Sequence, residues 1–82
     1  MQKYLENKKG GMIMTVGKNV RIRRQKLGLH QSELAQRAGT TQAQISRLEN
    51  DKSNVSVNLL RKVSIVLRCS VNDLIGTEDK SA

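Results

Sequence analysis

The sequence predicts an all-α fold of five helices in a single domain, and three observations carry that prediction. Apolar residues recur three and four positions apart, the spacing that gathers them on one side of a helix. Serine or threonine heads several of these stripes, where a hydroxyl accepts from a free backbone N–H. Glycine closes most of them, since it enters the left-handed conformation without steric cost.

A chain of 82 residues has room for one small domain, and such a domain buries only about 60% of its unfolded surface. The expected boundaries are a flexible basic arm over residues 1–14, the domain over residues 15–76 and a polar tail over residues 77–82. The arm is polar, charged and broken by Gly10 and Gly11. Thr15 is placed to cap a first helix over residues 16–27, with Val16, Val20 and Leu27 as its buried stripe and Gly28 as its stop. Arg23 lies beside that stripe, where its stem can follow apolar surface while its head stays in water.

Residues 29–52 read LHQSELAQRAGTTQAQISRLENDK. A second helix begins near Gln31, holds Glu33 in the opening turn where the helix dipole favours an acid, buries Leu34, Ala35 and Ala38, and ends at Gly39. Only Gly39 and Thr40 precede the next start signal, the capping box Thr41-x-x-Gln44. Helices joined this tightly cross steeply, so one is held outward while the other braces it. This is a helix-turn-helix.

With Ile45 inward at about 100° per residue, Leu48 and Glu49 share its side, while Ala43, Arg47 and Asn50 lie opposite and Gln42 and Ser46 flank them. The outward set suits a major groove. Glutamine matches adenine's donor and acceptor, arginine matches guanine's two acceptors, and small or methyl-bearing residues fit the thymine methyl. Thr41, Gln42, Ala43, Ser46 and Arg47 are therefore the candidate base-reading residues.

Residues 51–55 form a turn with Lys52 and Asn54 placed toward backbone phosphate. Ser56 then caps a fourth helix to residue 67 with Val57, Leu60, Val63 and Leu67 inward and Leu59 and Val66 widening the face. Ile65 falls off this stripe, among Asn58, Arg61 and Lys62. Ser70 caps a short last helix through Leu74 and Ile75, which Gly76 stops.

Fifteen Lys and Arg against seven Asp and Glu give a net charge of +8, which predicts fast, salt-sensitive attraction to a polyanion. Residues 1–28 carry eight basic residues and one acid, Glu6, a net of +7. Tyr4 is the one aromatic residue, so there is no platform for stacking unpaired bases, and double-stranded DNA is the expected partner. No apolar run approaches the roughly 18 residues of a membrane span. Cys69 has no second cysteine to pair with and is expected to fill space in the core. One histidine and one cysteine make neither a triad nor a zinc cluster, and no glycine-rich phosphate cradle occurs. An enzyme is not expected, and neither is a cofactor or a metal.

From residue 16 to residue 75 the chain resembles the lambda-repressor and Cro-like, or Xre-like, helix-turn-helix DNA-binding domains. The segments RIRRQKLGLHQSELA, GTTQAQISRLEN, NVSVNLLRKV and SVNDLIG carry the resemblance in order. It implies a compact five-helix bundle that dimerises on a palindromic operator, two recognition helices entering successive major grooves about 34 Å apart. It also implies an ion pair between Arg24 and Glu49, and a phosphate contact from Gln31 at a helix start. Asn50, Lys52 and Asn54 would complete the backbone contacts. Ile65 beside Val71 is a candidate dimer contact. Arg68 stands where many relatives have a glycine, and His30 where they have a better cap.

The expected function is a cytoplasmic, sequence-specific transcriptional regulator, nucleoid-associated when bound and acting as a homodimeric repressor. Two alternatives share the fold. One is an antitoxin or bridging module that binds a partner protein, a toxin or RNA polymerase, through Ile65, Ile22 or the arm. The other is a restriction-modification controller, to which NVS in place of the commoner NPS points.

Overall fold

A computed structural model describes residues 15–52 and 55–75. The arm, the tail, Gly76 and Asn54 lie outside the described residues. Five helices follow one another: α1 (Val16–Lys26), α2 (Gln31–Ala38), α3 (Gln42–Glu49), α4 (Val57–Val66) and α5 (Val71–Ile75). Among the described residues there is no strand.

Each start has its cap. The Thr15 and Ser56 hydroxyls accept from Lys18 N and Leu59 N at 3.1 and 3.0 Å, and Thr41 accepts from Gln44 N at 3.1 Å. At α5 the exchange is reciprocal: Ser70 Oγ accepts from Asp73 N, and an Asp73 carboxylate oxygen accepts from Ser70 N. His30 offers α2 a weak cap, yet Glu33 Oε1 accepts from His30 N at 2.8 Å, so the acid of the first turn closes that end. Gly39 ends α2 in the left-handed region at φ +72°. Arg68 takes that conformation after α4 at φ +61°, where a Cβ is strained.

One core joins the helices. Val20, Leu34, Ala35, Ala38, Ile45, Leu48, Leu60, Val63, Leu67 and Leu74 are buried, with Val16, Val55, Leu59, Val66, Cys69 and Val71 packed at its margin. Two expected core residues stand outside. Leu27 is 40% exposed because α1 stops at Lys26 and the chain turns at Gly28, bringing Leu29 inward instead. Val57 is 60% exposed because it opens α4, ahead of the stretch from Leu60 onward that packs on α2 and α5. Cys69 is half-buried; burial pushes its thiol up, and the nearby Arg23 charge only partly opposes this.

Candidate nucleic-acid interface

The two-residue turn between α2 and α3 fixes what α3 can present. Thr40 N donates to Ala35 O at 2.9 Å across left-handed Gly39, and Thr41 at once caps the next helix. Only Gly39 and Thr40 therefore separate the end of the first helix from the cap of the second. Ile45 and Leu48 anchor α3 in the core at 0% and 1% exposure. Thr41, Gln42, Ala43 and Arg47 are exposed, and Ser46 is half-buried at the edge of the same face.

The underside of α3 carries a charge. Glu49 is 2% exposed, and its carboxylate takes Arg24 Nε on Oε2 at 2.6 Å and Arg24 Nη2 on Oε1 at 2.9 Å. Arg24 Nη1 donates to Leu29 O at 2.7 Å, so the same guanidinium also ties the turn that leads into α2. Gln31 Nε2 donates to Glu49 Oε1 at 3.1 Å. Arg21 Nε stands 3.6 Å from that oxygen. Burial pushes the Glu49 carboxyl up, but the hydrogen bonds from Arg24 and Gln31 and the charges of Arg24 and Arg21 outweigh it, holding the group below the ordinary carboxylate range. The bond to Glu49 holds the Arg24 guanidinium above its ordinary value against the opposing effect of burial.

The candidate phosphate residues divide. Asn50 and Lys52 are exposed just past α3. Asn50 is already oriented, since its Nδ2 donates to Ser46 O at 2.8 Å and its Oδ1 accepts from Arg21 Nη2 at 3.3 Å. Gln31 turns one amide N–H inward to Glu49, and its nitrogen carries a second for another acceptor. Ile65 is 72% exposed and shares a shallow cavity with Gln36, Arg37 and Gly39 at the end of α2, whereas Val71 packs partly into the core.

Two participants escape a reading by periodicity. Arg21 joins the Glu49 cluster and Asn50, and the signal for it was its place three residues before Arg24, on the same side of α1. Asp51 reaches back to the start of α1, accepting from Gly17 N at 3.0 Å and from the Thr15 hydroxyl at 2.6 Å. No local spacing announces a contact across 36 positions.

A sequence profile of the family described as helix-turn-helix matches residues 20–74, a stretch that includes the whole of α2, the turn and α3. The chain belongs to the lambda-repressor/Cro-like helix-turn-helix family. This helix-turn-helix domain is 36% identical over 67 residues to the HTH-type transcriptional regulator SinR of Bacillus licheniformis and 38% identical over 67 residues to SinR of Bacillus subtilis strain 168. In each case 80% of the chain is matched, and it spans 60% of the length of these curated relatives. The P22 c2 repressor, solved in complex with a synthetic operator, superposes with a TM-score of 0.75 at 28% identity, over 79% of this chain and 98% of the repressor's. SinR in complex with DNA superposes with a TM-score of 0.70 at 36% identity, over 73% of this chain and 97% of SinR's. Among the described residues of this helix-turn-helix domain no helix is long and apolar enough to cross a membrane.

Proposed function

We propose that the domain is a sequence-specific, double-stranded DNA-binding transcriptional regulator that represses by occupying a palindromic operator as a homodimer. The observation that carries this reading is α3 itself. It is anchored from below by Ile45, Leu48 and Glu49 while Thr41, Gln42, Ala43 and Arg47 remain exposed with Ser46 at their edge. That face holds an amide, a guanidinium, hydroxyls and a methyl in about two helical turns, which is the donor, acceptor and apolar set that distinguishes base pairs in a major groove.

Gln31 at the start of α2 and Asn50 and Lys52 just past α3 would hold phosphates, fixing register without reading sequence. Asn54 extends that role beyond α3. The backbone N–H groups at the start of α2 favour the same anions. A net charge of +8 supplies the salt-dependent part of the affinity. Dimerisation is assigned to the side carrying exposed Ile65, with half-buried Val71 as the second candidate contact. A two-fold contact there would repeat the same patch on both copies. The setting is the cytoplasm, and no catalytic role is assigned.

Selection from a pool of random duplexes tests the reading. The expected product is a palindrome whose half-sites lie about one helical turn, roughly 34 Å, apart. Recovery of no common sequence, with equal binding to every duplex, would overturn it.

A further inference from the structure

Side chains on α3 can read base edges only if the helix is held at one angle, and its far end is held by more than core packing. We propose that Asp51 is a positioning residue for DNA reading, a clasp that sets the tilt of α3 against α1. The inference rests on the base-reading assignment of α3 for its functional meaning and on contacts among α1, α3 and Asp51 for its geometry.

The start of α1 has unsatisfied N–H groups and a positive dipole end, as every helix does, yet its first turn contains no acidic residue. Asp51 provides the acid from the end of α3. Its Oδ1 accepts from Gly17 N at 3.0 Å and its Oδ2 from the Thr15 hydroxyl at 2.6 Å. Thr15 thereby acts twice, since its oxygen also accepts from Lys18 N at 3.1 Å. Asp51 sits at φ +54°, in the left-handed region where side chains other than Gly, Asn and Asp are rare. The backbone turns sharply at that residue to aim the carboxylate at α1.

Gly17 completes the clasp by having no side chain. A Cβ there would overlap Leu48 O and lie 2.7 Å from both Glu49 O and Asp51 Oδ1. The last carbonyls of α3 are thus pressed against the first turn of α1. Farther along α1, Arg21 and Arg24 hold Glu49. Ile45 and Leu48 fix the depth of α3 in the core, and the two polar attachments, at the start of α1 and farther along it, fix how its end lies against α1.

The lever is short and the tolerance small. Eight residues of α3 span about 12 Å, so a tilt of about 5° about the Glu49 contact moves the Gln42 end by about 1 Å. Side chains that read base edges need placement within about 0.5 Å. Loss of the clasp therefore blurs sequence reading before it disturbs the fold.

The test separates this role from mere charge. Asp51→Gly keeps the left-handed turn and removes the carboxylate, and Asp51→Asn keeps an acceptor for Gly17 while removing the charge. Competition binding of the full chain is measured on the selected palindrome and on a scrambled duplex of the same composition. Losing a negative charge alone strengthens both equally. The clasp predicts instead that Asp51→Gly narrows the ratio between the two duplexes by about fivefold to tenfold, roughly the range of one or two lost positioning bonds. Asp51→Asn should fall between. Equal factors on both duplexes overturn the proposal. A second measurement needs no DNA: residual dipolar couplings of the α1 and α3 amides in the free protein should report a changed interhelix angle in Asp51→Gly. An unchanged angle overturns the clasp. A wild type that shows no preference for any duplex overturns the base-reading assignment, and the angle measurement then decides the clasp by itself.

Discussion

Arg24 grips Glu49 through two nitrogens at 2.6 and 2.9 Å, and Glu49 is the one charged side chain among the described residues that is fully buried. A buried pair of this kind adds little net stability, because desolvating both ions offsets most of their attraction. It does fix geometry: two parallel bonds allow one relative orientation of guanidinium and carboxylate. Since Arg24 belongs to α1 and Glu49 to α3, that orientation is passed to the exposed face of α3.

Removing one partner is therefore worse than removing both. Arg24→Ala should cost about 3 kcal/mol, since the carboxylate stays buried without its main counter-ion. Arg24→Met combined with Glu49→Leu should recover most of that loss. Urea unfolding of the three chains measures it, and a single variant as stable as wild type would show the pair to be idle.

The same carboxylate sets an acid limit on folding. Glu49 titrates below its ordinary 4.5 in the folded chain, so the unfolded chain takes up its proton first as pH falls. Its contribution is complete above 4.5 and is lost as pH drops through the lowered folded value. Asp73 is also lowered, by its bonds from Ser70, from an ordinary 3.8, and it adds to the same limb. Glu49→Gln should be less stable at neutral pH yet show a flatter decline as pH falls below 4.5. Parallel declines in the two chains would assign the acid limb to other groups.

The order and type of the helices were legible because local chemistry settles them. Thr15, Thr41, Ser56 and Ser70 mark helix starts, Gly39 marks an end, and the spacing of Leu34, Ala38, Ile45 and Leu48 gives the core side. Helix ends were less legible. Leu27 and Val57 keep the right phase, but phase says nothing about whether another element covers that turn. The candidate site divides in the same way. Which residues of α3 lie opposite Ile45 follows from 100° per residue, whereas the Asp51 contact to Thr15 and Gly17 and the Gln31 contact to Glu49 depend on how α1, α2 and α3 meet. Asn54 lies outside the described residues and its place is given by sequence alone.

Gly17 is the position where a single methyl group should do most harm. Alanine ordinarily gains about 1 kcal/mol over glycine inside a helix. Here its Cβ would meet backbone carbonyls of Leu48 and Glu49, which cannot swing aside as a side chain can. Overpacking of this kind costs about 1 to 3 kcal/mol, so Gly17→Ala should be destabilising on balance. A gain in Tm would mean that α1 and α3 separate freely.

Arg68 invites the opposite substitution. Its φ of +61° follows α4 at a helix end, with Arg68 N donating to Ile65 O at 3.2 Å and Cys69 N to Ser64 O at 3.0 Å. Glycine reaches that conformation without strain. Arg68→Gly should stabilise by about 0.5 to 1 kcal/mol, less any loss from the more flexible unfolded chain. For a domain of this size a full 1 kcal/mol raises Tm by about 4 to 8 °C. Arg68→Val, β-branched at positive φ, should lower it. Calorimetry on the three chains orders them Gly, Arg, Val, and any other order removes backbone strain as the explanation.

Base reading and backbone holding leave different marks on affinity, and α3 with its border allows both to be measured. Arg47→Ala and Gln42→Ala remove groups from the exposed face of α3 that are proposed to pair with base edges, so each should weaken binding to the selected palindrome by about 1 to 3 kcal/mol and leave a scrambled duplex nearly unchanged. Lys52→Ala removes a charge that any phosphate can use. It should weaken both duplexes by a similar factor and reduce the slope of log affinity against log salt by about 1. Arg47 carries a charge as well, so its variant should also lose a little on the scrambled duplex, while Gln42→Ala should not. Equal losses on both duplexes for Gln42→Ala, with an unchanged salt slope, would place Gln42 on the backbone and leave Arg47 as the principal reader.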